Sequence, residues 1–555
     1  MGIYLNPGKQ SFSMAVNSQI FVDKTDMICY LNSVINTQQR FVSVSRPRRF
    51  GKTMAADMIC AYYDREADSR ELFEKCKVAK AGVENDHQDW DCYLGTFDVI
   101  RIVITDFLED SNDVSKMLEY LTEEVTTELT DAYPTIQYGK RINLRTVMNK
   151  IYSEKKRQFL IVIDEWDAVF RVWKEDTEGQ KRYLDFLRDW LKDKPYVALA
   201  YMTGILPIKK YGKHSALNMF DEYSMLSPMQ LAPYTGFTED EVQALCSQYG
   251  RDFQTIKNWY DGYDVSDIIP PDPENQVFRE TGIKPAAKRY SLYSPLSVVN
   301  AVRTGRIMNY WNKTETYEAL AEYICKDFDG LKDAVALLMD GGRLKIDTST
   351  YQNDMTTFHS RDDILSLLIH LGYLGYDDER SEVFIPNREI LDEFKTSTKT
   401  GEWVEPFKAY EASTKLLRAT WAEEAEKVAE FLEEAHNRTG NKTYNDEAAL
   451  SYAIQYAFYA AQKYYTTILE LDSGKGYADI VYLPSPKYPD KPALLIELKY
   501  NKDADTAIAQ IKRQQYPDRL EHYKGNLLLV GIDYDREIPS NKPEFKHHHC
   551  RIERV

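Results

Sequence analysis

Cysteine is scarce in this sequence of 555 residues, and the few cysteines present do not cluster. There are seven, scattered along the chain, and no two of them stand in a Cys-x-x-Cys pair. This argues against a zinc knuckle and against a disulfide framework, and it is typical of a protein in the reducing cytoplasm, where we expect this chain. The run from His547 to Cys550 could attract a metal ion. Adjacent histidines do not readily face one ion, however, so a tail or an edge strand is favoured there.

Long apolar runs are also missing, and the 70 basic residues are outnumbered by 87 acidic ones. No stretch approaches the roughly 20 apolar residues that a membrane-spanning helix requires. The opening MGIYLNPGKQSFS has no basic region followed by an apolar one, so we expect neither a membrane span nor a signal peptide. The formal net charge is −17. The whole chain should therefore repel nucleic acid, although an acidic site that is neutralised by a metal ion could still cut it.

The most informative residues lie near the C-terminal end of the sequence. Asp479 leads the apolar run Ile-Val-Tyr-Leu, and Glu497-Leu-Lys499 ends the run Leu-Leu-Ile. Side chains two residues apart on a strand share a face, so Glu497 and Lys499 should point the same way. Two carboxylates and an ammonium group at one sheet edge suit a Mg²⁺ ion and a water that attacks a phosphodiester. The alternative is two buried strands with surface charges at their ends.

This pattern resembles the PD-(D/E)XK nuclease superfamily, with Asp479, Glu497 and Lys499 in the motif positions. Gln510 and Tyr516 resemble the further Gln and Tyr of its DUF1703-type members. The resemblance implies that the two acids bind metal, that Lys499 positions water or stabilises charge, and that Gln510 orients the site.

One more acid would belong to this site. Glu447 stands in the helical stretch Tyr-Asn-Asp-Glu-Ala-Ala-Leu. By the same resemblance it would be the acidic residue of the first core helix. It would then bind the ion, Mg²⁺ or Mn²⁺, together with Asp479 and Glu497.

A second site is predicted near the start of the sequence. Residues 39–45 are typical of a strand, the segment from Arg46 to Gly51 follows, and then come Lys52, Thr53 and a helical stretch. This is the order of a phosphate-binding loop. Backbone N–H groups at a helix N-terminus meet the phosphates, Lys52 reaches the outer phosphates, and the Thr53 hydroxyl holds Mg²⁺. The sequence departs from the usual pattern in one respect, because Arg46 replaces its first glycine.

An acidic pair supports the same prediction. The apolar run at residues 157–163 ends in Asp164 and Glu165, as expected of a buried parallel strand. Asp164 would hold Mg²⁺ through water, and Glu165 would orient or deprotonate the attacking water. Either signal alone could arise by chance. Together, in this order, they favour an NTPase.

Several segments resemble the AAA-ATPase-like domain that usually precedes the DUF1703-type nuclease. They are RPRRFGKT, FVDKTDMI, IDEWDAVF, MTGILPI, WYDGY and LYSPLSVVNAV. The resemblance implies an AAA-type sandwich that binds ATP at a loop including Arg48, Arg49, Phe50 and Gly51. It also implies that Thr203 takes the sensor position, where its hydroxyl reports on the γ-phosphate. The two arginines would touch phosphate or a neighbouring subunit, and the alternative is that they are ordinary surface arginines.

The segment Asp23-Lys24-Thr25 has two interpretations. Asp and Thr are common helix-start residues, and a helical stretch begins at Met27, which favours a cap. The AAA-ATPase-like resemblance instead suggests a strap packed near the nucleotide. Both interpretations stay open at this point.

The middle of the sequence changes to helical patterns near residue 235. A helix ending at Gly372 and two short strands after it resemble a winged-helix unit, which can bind DNA. Its helix, at residues 362–371, is rich in Leu and Ile with acidic flanks, which favours packing instead. We predict an α/β multidomain protein in three parts. These are an AAA-type P-loop NTPase core with its strap (1–234), a helical lid with the winged-helix-like unit (235–395) and a PD-(D/E)XK nuclease domain (396–555).

These features predict an ATP-binding and ATP-hydrolysing protein coupled to a metal-dependent nuclease. We expect ATP, Mg²⁺ and nucleic acid as partners, DNA more than RNA, no membrane, and, by analogy with AAA proteins, a homo-oligomer. One alternative is a nucleotide-dependent switch whose nuclease fold mainly binds nucleic acid or a partner. A transcriptional regulator built on the winged-helix-like unit is a weaker alternative, because basic residues are sparse there.

Overall fold

The structure is a computed structural model of the chain. It describes residues 2–84, 90–140, 142–208, 217–267, 288–311, 317–326, 328, 330–398, 404–439, 447–472, 477–486, 488–513, 520, 523, 525–535 and 547–555. None of the described helices combines the length and the apolar character that crossing a membrane requires.

The described helices are numbered in chain order. They are α1 Gln10–Val16, α2 Met27–Val34, α3 Lys52–Tyr63, α4 Arg70–Phe73, α5 Lys77–Glu84, α6 Ile104–Glu109, α7 Val114–Ala132, α8 Leu144–Lys155, α9 Ala168–Val172, α10 Thr177–Leu191, α11 Glu239–Tyr249, α12 Phe253–Tyr260, α13 Pro295–Thr304, α14 Tyr317–Ile324, α15 Leu331–Met339, α16 Arg361–Leu371, α17 Arg388–Ser397, α18 Val404–Trp421, α19 Ala425–Thr439, α20 Glu447–Ala457 and α21 Ala504–Arg513. Short 3₁₀ helices lie at Met229–Tyr234 and Tyr459–Lys463.

The described strands form four sheets. They are β1 Phe41–Ser45, β2 Asp98–Val103, β3 Phe159–Asp164, β4 Val197–Gly204, β5 Asp221–Tyr223, β6 Phe237–Thr238, β7 Tyr263–Ser266, β8 Arg289–Tyr293, β9 Leu344–Lys345, β10 Gly375–Asp377, β11 Glu382–Phe384, β12 Tyr465–Asp472, β13 Tyr477–Pro484, β14 Ala493–Tyr500, β15 Leu527–Tyr534 and β16 His548–Arg554.

The chain divides into two compact units. The first holds Met1–Asp329 and Leu344–Thr396, and the second holds Gly330–Arg343 and Ser397–Val555. Residues 235–329 therefore group with the N-terminal sheet. The division into three domains at residues 234 and 395 stays a prediction.

The first unit is built on a five-stranded parallel sheet in the order β2-β3-β4-β1-β5. All residues of β1, β3 and β4 are buried, as expected of central parallel strands covered on both faces. Strand β4 lies between β1 and β3. The carboxyl ends of these three strands therefore meet at one edge, where the loop before α3 and the acids after β3 also lie.

Two small sheets complete the first unit. Strands β6, β8 and β7 form one antiparallel sheet, and β10, β11 and β9 form the other. Helix α16 precedes β10 and β11 of the second sheet, and its C-cap is Gly372, whose φ of 89° is the left-handed conformation that favours glycine. A helix followed by a short hairpin is the local order that the winged-helix resemblance predicts. Eight of the eleven residues of α16, Asp363 to His370, are buried, which agrees with the predicted packing role.

The second unit is built on a mixed five-stranded sheet in the order β12-β13-β14-β15-β16. Strands β14 and β15 are parallel, and the other pairs are antiparallel. Residues 493–499 of β14 are all buried, so both faces of this strand are covered. Helix α21 packs on β14, β15 and β16, with Ile508 and Ile511 against Ala493 and Leu495. Strand β16 is an edge strand, which confirms the prediction for residues 547–550.

Helix α15 is an unexpected member of the second unit. Its chain neighbours on both sides belong to the first unit, yet α15 packs against α18. Seven of its nine residues, Leu331 and Ala334 to Met339, are buried. A helix that is apolar almost all round is stable only when it is enclosed, which is what its inclusion in this core provides.

Gly531 allows α21 to approach the sheet of the second unit. A Cβ at this position would lie 2.5 Å from the carbonyl oxygen of Ala504 and 3.0 Å from the Cβ of Ala507. Both contacts involve the first turns of α21, and the nearer one is rigid backbone. Only glycine therefore fits at this point of β15.

We predict that Gly531→Ala destabilises the second unit by about 1–3 kcal/mol, because the added methyl group overpacks the contact with α21. Scanning calorimetry of the full chain should show one transition at lower temperature. Thr467→Ala, on the exposed face of edge strand β12, is the control and should leave the transitions in place. An unchanged thermogram for Gly531→Ala would contradict the proposed close approach.

Candidate functional site

The loop between β1 and α3 is closed by a buried lysine. Lys52 is 9% exposed, and its Nζ donates to the carbonyl oxygens of Arg46 and Pro47, both at 2.9 Å. Gly51 has a φ of 84°, a left-handed conformation that glycine adopts without strain. The first N–H groups of α3 have no partner within a helix, so they are available to an anion at this end. The arrangement is that of a phosphate-binding loop.

The side chain of Arg46, which replaces the first glycine of the usual pattern, is directed to the ends of β1 and β5. Its side chain is fully buried, and Nη1 donates to the carbonyl oxygens of Ser45 at 2.9 Å and Tyr223 at 2.8 Å. The residue is not among those with positive φ. No glycine is therefore required at this position, and burial lowers the pKa of the guanidinium to about 10.

The predicted magnesium ligands and the predicted sensor lie at the same edge of the sheet. Asp164 ends β3 and is 1% exposed, and the Thr53 side chain hydrogen bonds to it. Burial raises the pKa of Asp164, while the Thr53 hydrogen bond and the charge of Lys52 oppose that rise. Thr203 pairs in register with Val44, just before the loop, and its buried Oγ1 has no hydrogen-bond partner among the described residues. A buried hydroxyl of this kind is able to hydrogen bond to an oxygen of a ligand bound at the strand ends.

Glu165 is paired with an arginine that the sequence reasoning missed. Nη2 of Arg171 lies 2.9 Å from Oε2 of Glu165, and its Nε lies 3.3 Å from Oδ2 of Asp167. Asp167 is fully buried and also accepts from the N–H groups of Ile205 and Leu206. The signal was available in the sequence, because Asp167 and Arg171 are four residues apart, a spacing that brings side chains together on a helix.

The other side chains of the loop point toward the rest of the first unit. Arg48 is exposed. Arg49 has a φ of 68°, and its Nη1 donates to the carbonyl oxygens of Tyr310 at 3.3 Å and Trp311 at 2.5 Å. Phe50 is buried with its ring 5.2 Å from that of Tyr263. The contact of Arg49 with phosphate that the sequence suggested would require it to leave those two carbonyls.

The segment Asp23–Thr25 links the helices around the loop. Oδ1 of Asp23 accepts from the N–H and hydroxyl of Thr25, and Oδ2 accepts from the N–H of Lys77 at the start of α5. Lys24 donates to the carbonyl of Pro233 and to Glu241 of α11. A polar cavity of about 570 Å³ lies beside these residues. The N-cap position of α2 itself, Asp26, makes no side-chain cap hydrogen bond, whereas Asp23 and Thr25 accept from the first N–H groups of α5. The segment is therefore not a cap of α2, and its place near a nucleotide stays a prediction.

The second site lies where β13 and β14 run together. Nζ of Lys499 is 2.9 Å from Oε1 of Glu497, and the two side chains are 4% and 2% exposed. They therefore share a face, as strand alternation predicts. Asp479 stands next to the paired residues Ile480 and Ile496, and its Oδ2 accepts from the N–H of Leu498 at 2.7 Å. The structure thus brings Asp479, Glu497 and Lys499 together.

Helix α21 brings Gln510 to this group. Nε2 of Gln510 donates to Oε1 of Glu497, the oxygen that Lys499 also contacts. The predicted residue Tyr516 lies outside the described residues. Helix α20 begins at Glu447 and packs on β14, but the side chain of Glu447 is also outside the described part.

A buried acid on β15, the strand next to β14, was not predicted. Asp533 is 1% exposed, pairs in register with Lys499, and accepts from the N–H of Lys502 at 3.1 Å. Burial raises the pKa of this carboxyl. The register between β14 and β15 is a non-local contact, so nothing in the local pattern around Asp533 indicates its place.

The donor atoms present fit divalent metal ions. Carboxylate and hydroxyl oxygens, which Mg²⁺ prefers, are supplied by Asp164 and Thr53 in the first unit and by Asp479 and Glu497 in the second. Among the described side chains, no group of three or more His, Cys, Asp or Glu forms a metal cluster. The third acid predicted for the second site, Glu447, is the one whose side chain is not described.

Two protein-family models match separate parts of the chain. Residues 7–212 match a family model described as "Predicted AAA-ATPase", and residues 447–540 match the PD-(D/E)XK nuclease superfamily. The chain joins an AAA-ATPase-like segment to a PD-(D/E)XK-like segment. Both resemblances predicted from the sequence are confirmed, and so is the α/β multidomain fold class.

Comparisons with individual proteins add little. No curated protein matches the sequence at a significant level. Solved structures that match include Cdc6p from Pyrobaculum aerophilum, at 10% identity and a TM-score of 0.19, over 67% of this chain and 92% of that one. The ORC2 protein from Aeropyrum pernix matches at 10% identity and a TM-score of 0.26, over 70% and 97%. Likenesses with such low TM-scores bear on neither the fold nor the function of this chain.

Lys52, in the loop between β1 and α3, has a pKa that is shifted from its usual value. Burial lowers the pKa of Lys52 to about 8, and the facing carboxylates of Asp164, Asp167 and Glu165 only partly offset that effect, while Arg171 adds to it. The ammonium form, which a phosphate requires, is therefore incompletely populated above about pH 8 without ligand.

We predict that ATP binding takes up a proton and weakens by up to about tenfold per pH unit between about pH 8 and about pH 9. Calorimetric titrations with ATP in two buffers of different ionisation enthalpy measure the uptake directly. Lys52→Arg, whose guanidinium stays protonated, is the control and should bind with little pH dependence. A constant affinity across this range would contradict the lowered pKa of Lys52.

Proposed function

We propose that the first unit binds and hydrolyses ATP with Mg²⁺. Lys52 would contact the outer phosphates, and Thr53 and Asp164 would hold the ion, which neutralises phosphate charge when bound. Glu165 would orient or deprotonate the attacking water, and the Thr203 hydroxyl would accept or donate a hydrogen bond at the γ-phosphate. The support for this assignment is that loop, acids and hydroxyl meet at one edge of the sheet.

The second unit, in the same proposal, cleaves phosphodiester bonds in nucleic acid with the help of a divalent ion, DNA more than RNA. Asp479 and Glu497 would hold the ion, which supplies Lewis acidity when bound. Lys499 would position water or stabilise the developing negative charge. Gln510 would fix the orientation of Glu497 through the hydrogen bond between them.

One observation carries the nuclease assignment. The ammonium of Lys499, the carboxylate of Glu497 and the amide of Gln510 form one buried group next to Asp479. Burying a charged pair in a core costs free energy that apolar side chains of similar size would not. Such a group is better explained by chemistry than by stability.

A nucleotide-dependent switch is the second candidate, and it has its own support. The carboxylate of Glu165 is ion-paired with Arg171 at 2.9 Å. While that pair persists, Glu165 is a poor base, so ATP could be held without rapid turnover. In that case the second unit would mainly bind nucleic acid or a partner.

The test uses labelled DNA and RNA with the full chain, with and without ATP, in Mg²⁺ or Mn²⁺. We expect metal-dependent cleavage that Lys499→Ala and Asp479→Ala reduce by about 100-fold or more, the range lost when a positioned acid–base group is removed. ATP binding, measured by calorimetry, should be unchanged in both variants. Lys52→Ala should show the converse defect in ATP binding.

The matched control is Lys502→Ala, which removes an exposed lysine three residues along the chain. Its cleavage rate should equal that of the parent. Full cleavage by purified, folded Lys499→Ala would remove the nuclease assignment. ATP binding with no cleavage of either nucleic acid, in either ion, would favour the switch.

A further inference from the structure

Glu389 of α17 is a buried acid that fixes a short backbone segment of the first unit. It is 1% exposed, and its Oε1 accepts from the N–H groups of Tyr310 at 2.6 Å and Trp311 at 3.0 Å. Its Oε2 accepts from the Ser297 hydroxyl at 2.8 Å. A further hydrogen bond joins the same segment to α17, because Nδ2 of Asn309 donates to the backbone carbonyl of Glu389 at 3.1 Å. The carboxylate therefore acts as an acceptor for two consecutive peptide groups.

The carbonyl side of the same segment faces the phosphate-binding loop. Tyr310 and Trp311 offer their carbonyl oxygens to Nη1 of Arg49, and the guanidinium lies 5.5 Å from the Trp311 ring centre. Glu389 and Arg49 thus bind opposite edges of the same two residues. The backbone of Arg49 is left-handed, a conformation that costs free energy for a residue with a Cβ and persists only when its surroundings hold it.

Pro47 and Phe50 of the loop also contact residues that lie close to this segment. A Cβ on Gly372 would meet the ring of Pro47 at 2.7 Å and Trp311 at 3.0 Å, so these groups are in close contact. The hydroxyl of Tyr263, whose ring packs on Phe50, donates to the carbonyl of Gly372 at 2.6 Å. The conformation of the loop therefore depends on where Tyr310 and Trp311 are held.

We propose that Glu389 is a positioning residue of the nucleotide site. Acting through the backbone of Tyr310 and Trp311 and through Arg49, it holds the phosphate-binding loop in the form that accepts ATP. This rests on the proposed binding of ATP by the first unit. Without the carboxylate, two buried N–H donors lose their acceptor, the segment moves, and Arg49 loses the carbonyls that hold its backbone.

The test compares Glu389→Met with Glu389→Gln by calorimetric titration with ATP and Mg²⁺ and by steady-state ATP hydrolysis. The glutamine keeps an oxygen for the two N–H groups, so its affinity should stay within about threefold of the parent. The methionine has similar size and no acceptor, so ATP should bind about tenfold more weakly. Turnover at saturating ATP should change by less than about threefold, because the proposed effect is on binding of the nucleotide.

Glu128 provides a matched control. It is an acid of α7 that likewise accepts from consecutive backbone N–H groups, those of Ile3, Tyr4 and Leu5. This segment bridges to β2, the strand at the far end of the sheet from β1 and β5. Glu128→Met should therefore lower thermal stability and leave ATP affinity as in the parent. An equal loss of affinity in both methionine variants would show general destabilisation and overturn the proposal.

A double-mutant cycle tests the route through Arg49 and also serves if Glu389→Met does not fold. Arg49→Met alone should weaken ATP binding about as much as Glu389→Met, and it can be measured even if the Glu389 variant does not fold. Glu389→Met with Arg49→Met should bind no more weakly than Arg49→Met alone, because both changes break the same route. Unchanged affinity in Glu389→Met or in Arg49→Met overturns the proposal while ATP binding by the chain stands. A parent protein that fails to bind ATP overturns the proposed function and this inference together.

Discussion

The bond between Lys52 and the two loop carbonyls is the contact around which the first unit is arranged. A loop of six residues turns the chain from β1 into α3, and it can do so only with left-handed backbone at Arg49 and Gly51. Glycine meets that demand at no steric cost, whereas an arginine does so only under constraint. Lys52 supplies part of the constraint from inside the loop, and side chains from distant parts of the unit supply the remainder. The conformation of the loop therefore depends on contacts with the segment at Tyr310 and Trp311.

The apolar strands of the first unit could be predicted from the sequence because they are buried on both faces. Residues 159–163 and 197–202 are apolar or aromatic throughout, and the structure has β3 and β4 there within one or two residues. Their order in the sheet could not be derived in the same way, since strand pairing is non-local. The position of Thr203 between the loop and Asp164 follows from that order, and the sequence suggested it only through a family resemblance.

In the second unit, the local spacing of residues predicts the contact between Glu497 and Lys499 but not the contact between Gln510 and Glu497. Glu497 and Lys499 are two residues apart on a strand, and alternation alone places them on one face. Gln510 is on a helix, and its contact with Glu497 depends on how closely α21 approaches the sheet, which Gly531 permits. Asp533 is placed beside Lys499 only by the register of β14 with β15. Contacts set by packing and register leave no periodic signal in the sequence.

Residues 330–343 belong to the second unit, although the chain on both sides of them belongs to the first. This arrangement limits which fragments of the protein contain a complete unit. The polypeptide passes from one unit to the other three times, so the second unit is covalently discontinuous. A fragment that starts at residue 397 would lack α15 and expose the side of α18 on which it packs, which favours aggregation. A fragment that ends at residue 329 would lack α16 and the strand pairing around it. Neither unit can be obtained whole by a single truncation, so their functions are best separated by point substitution in the intact polypeptide.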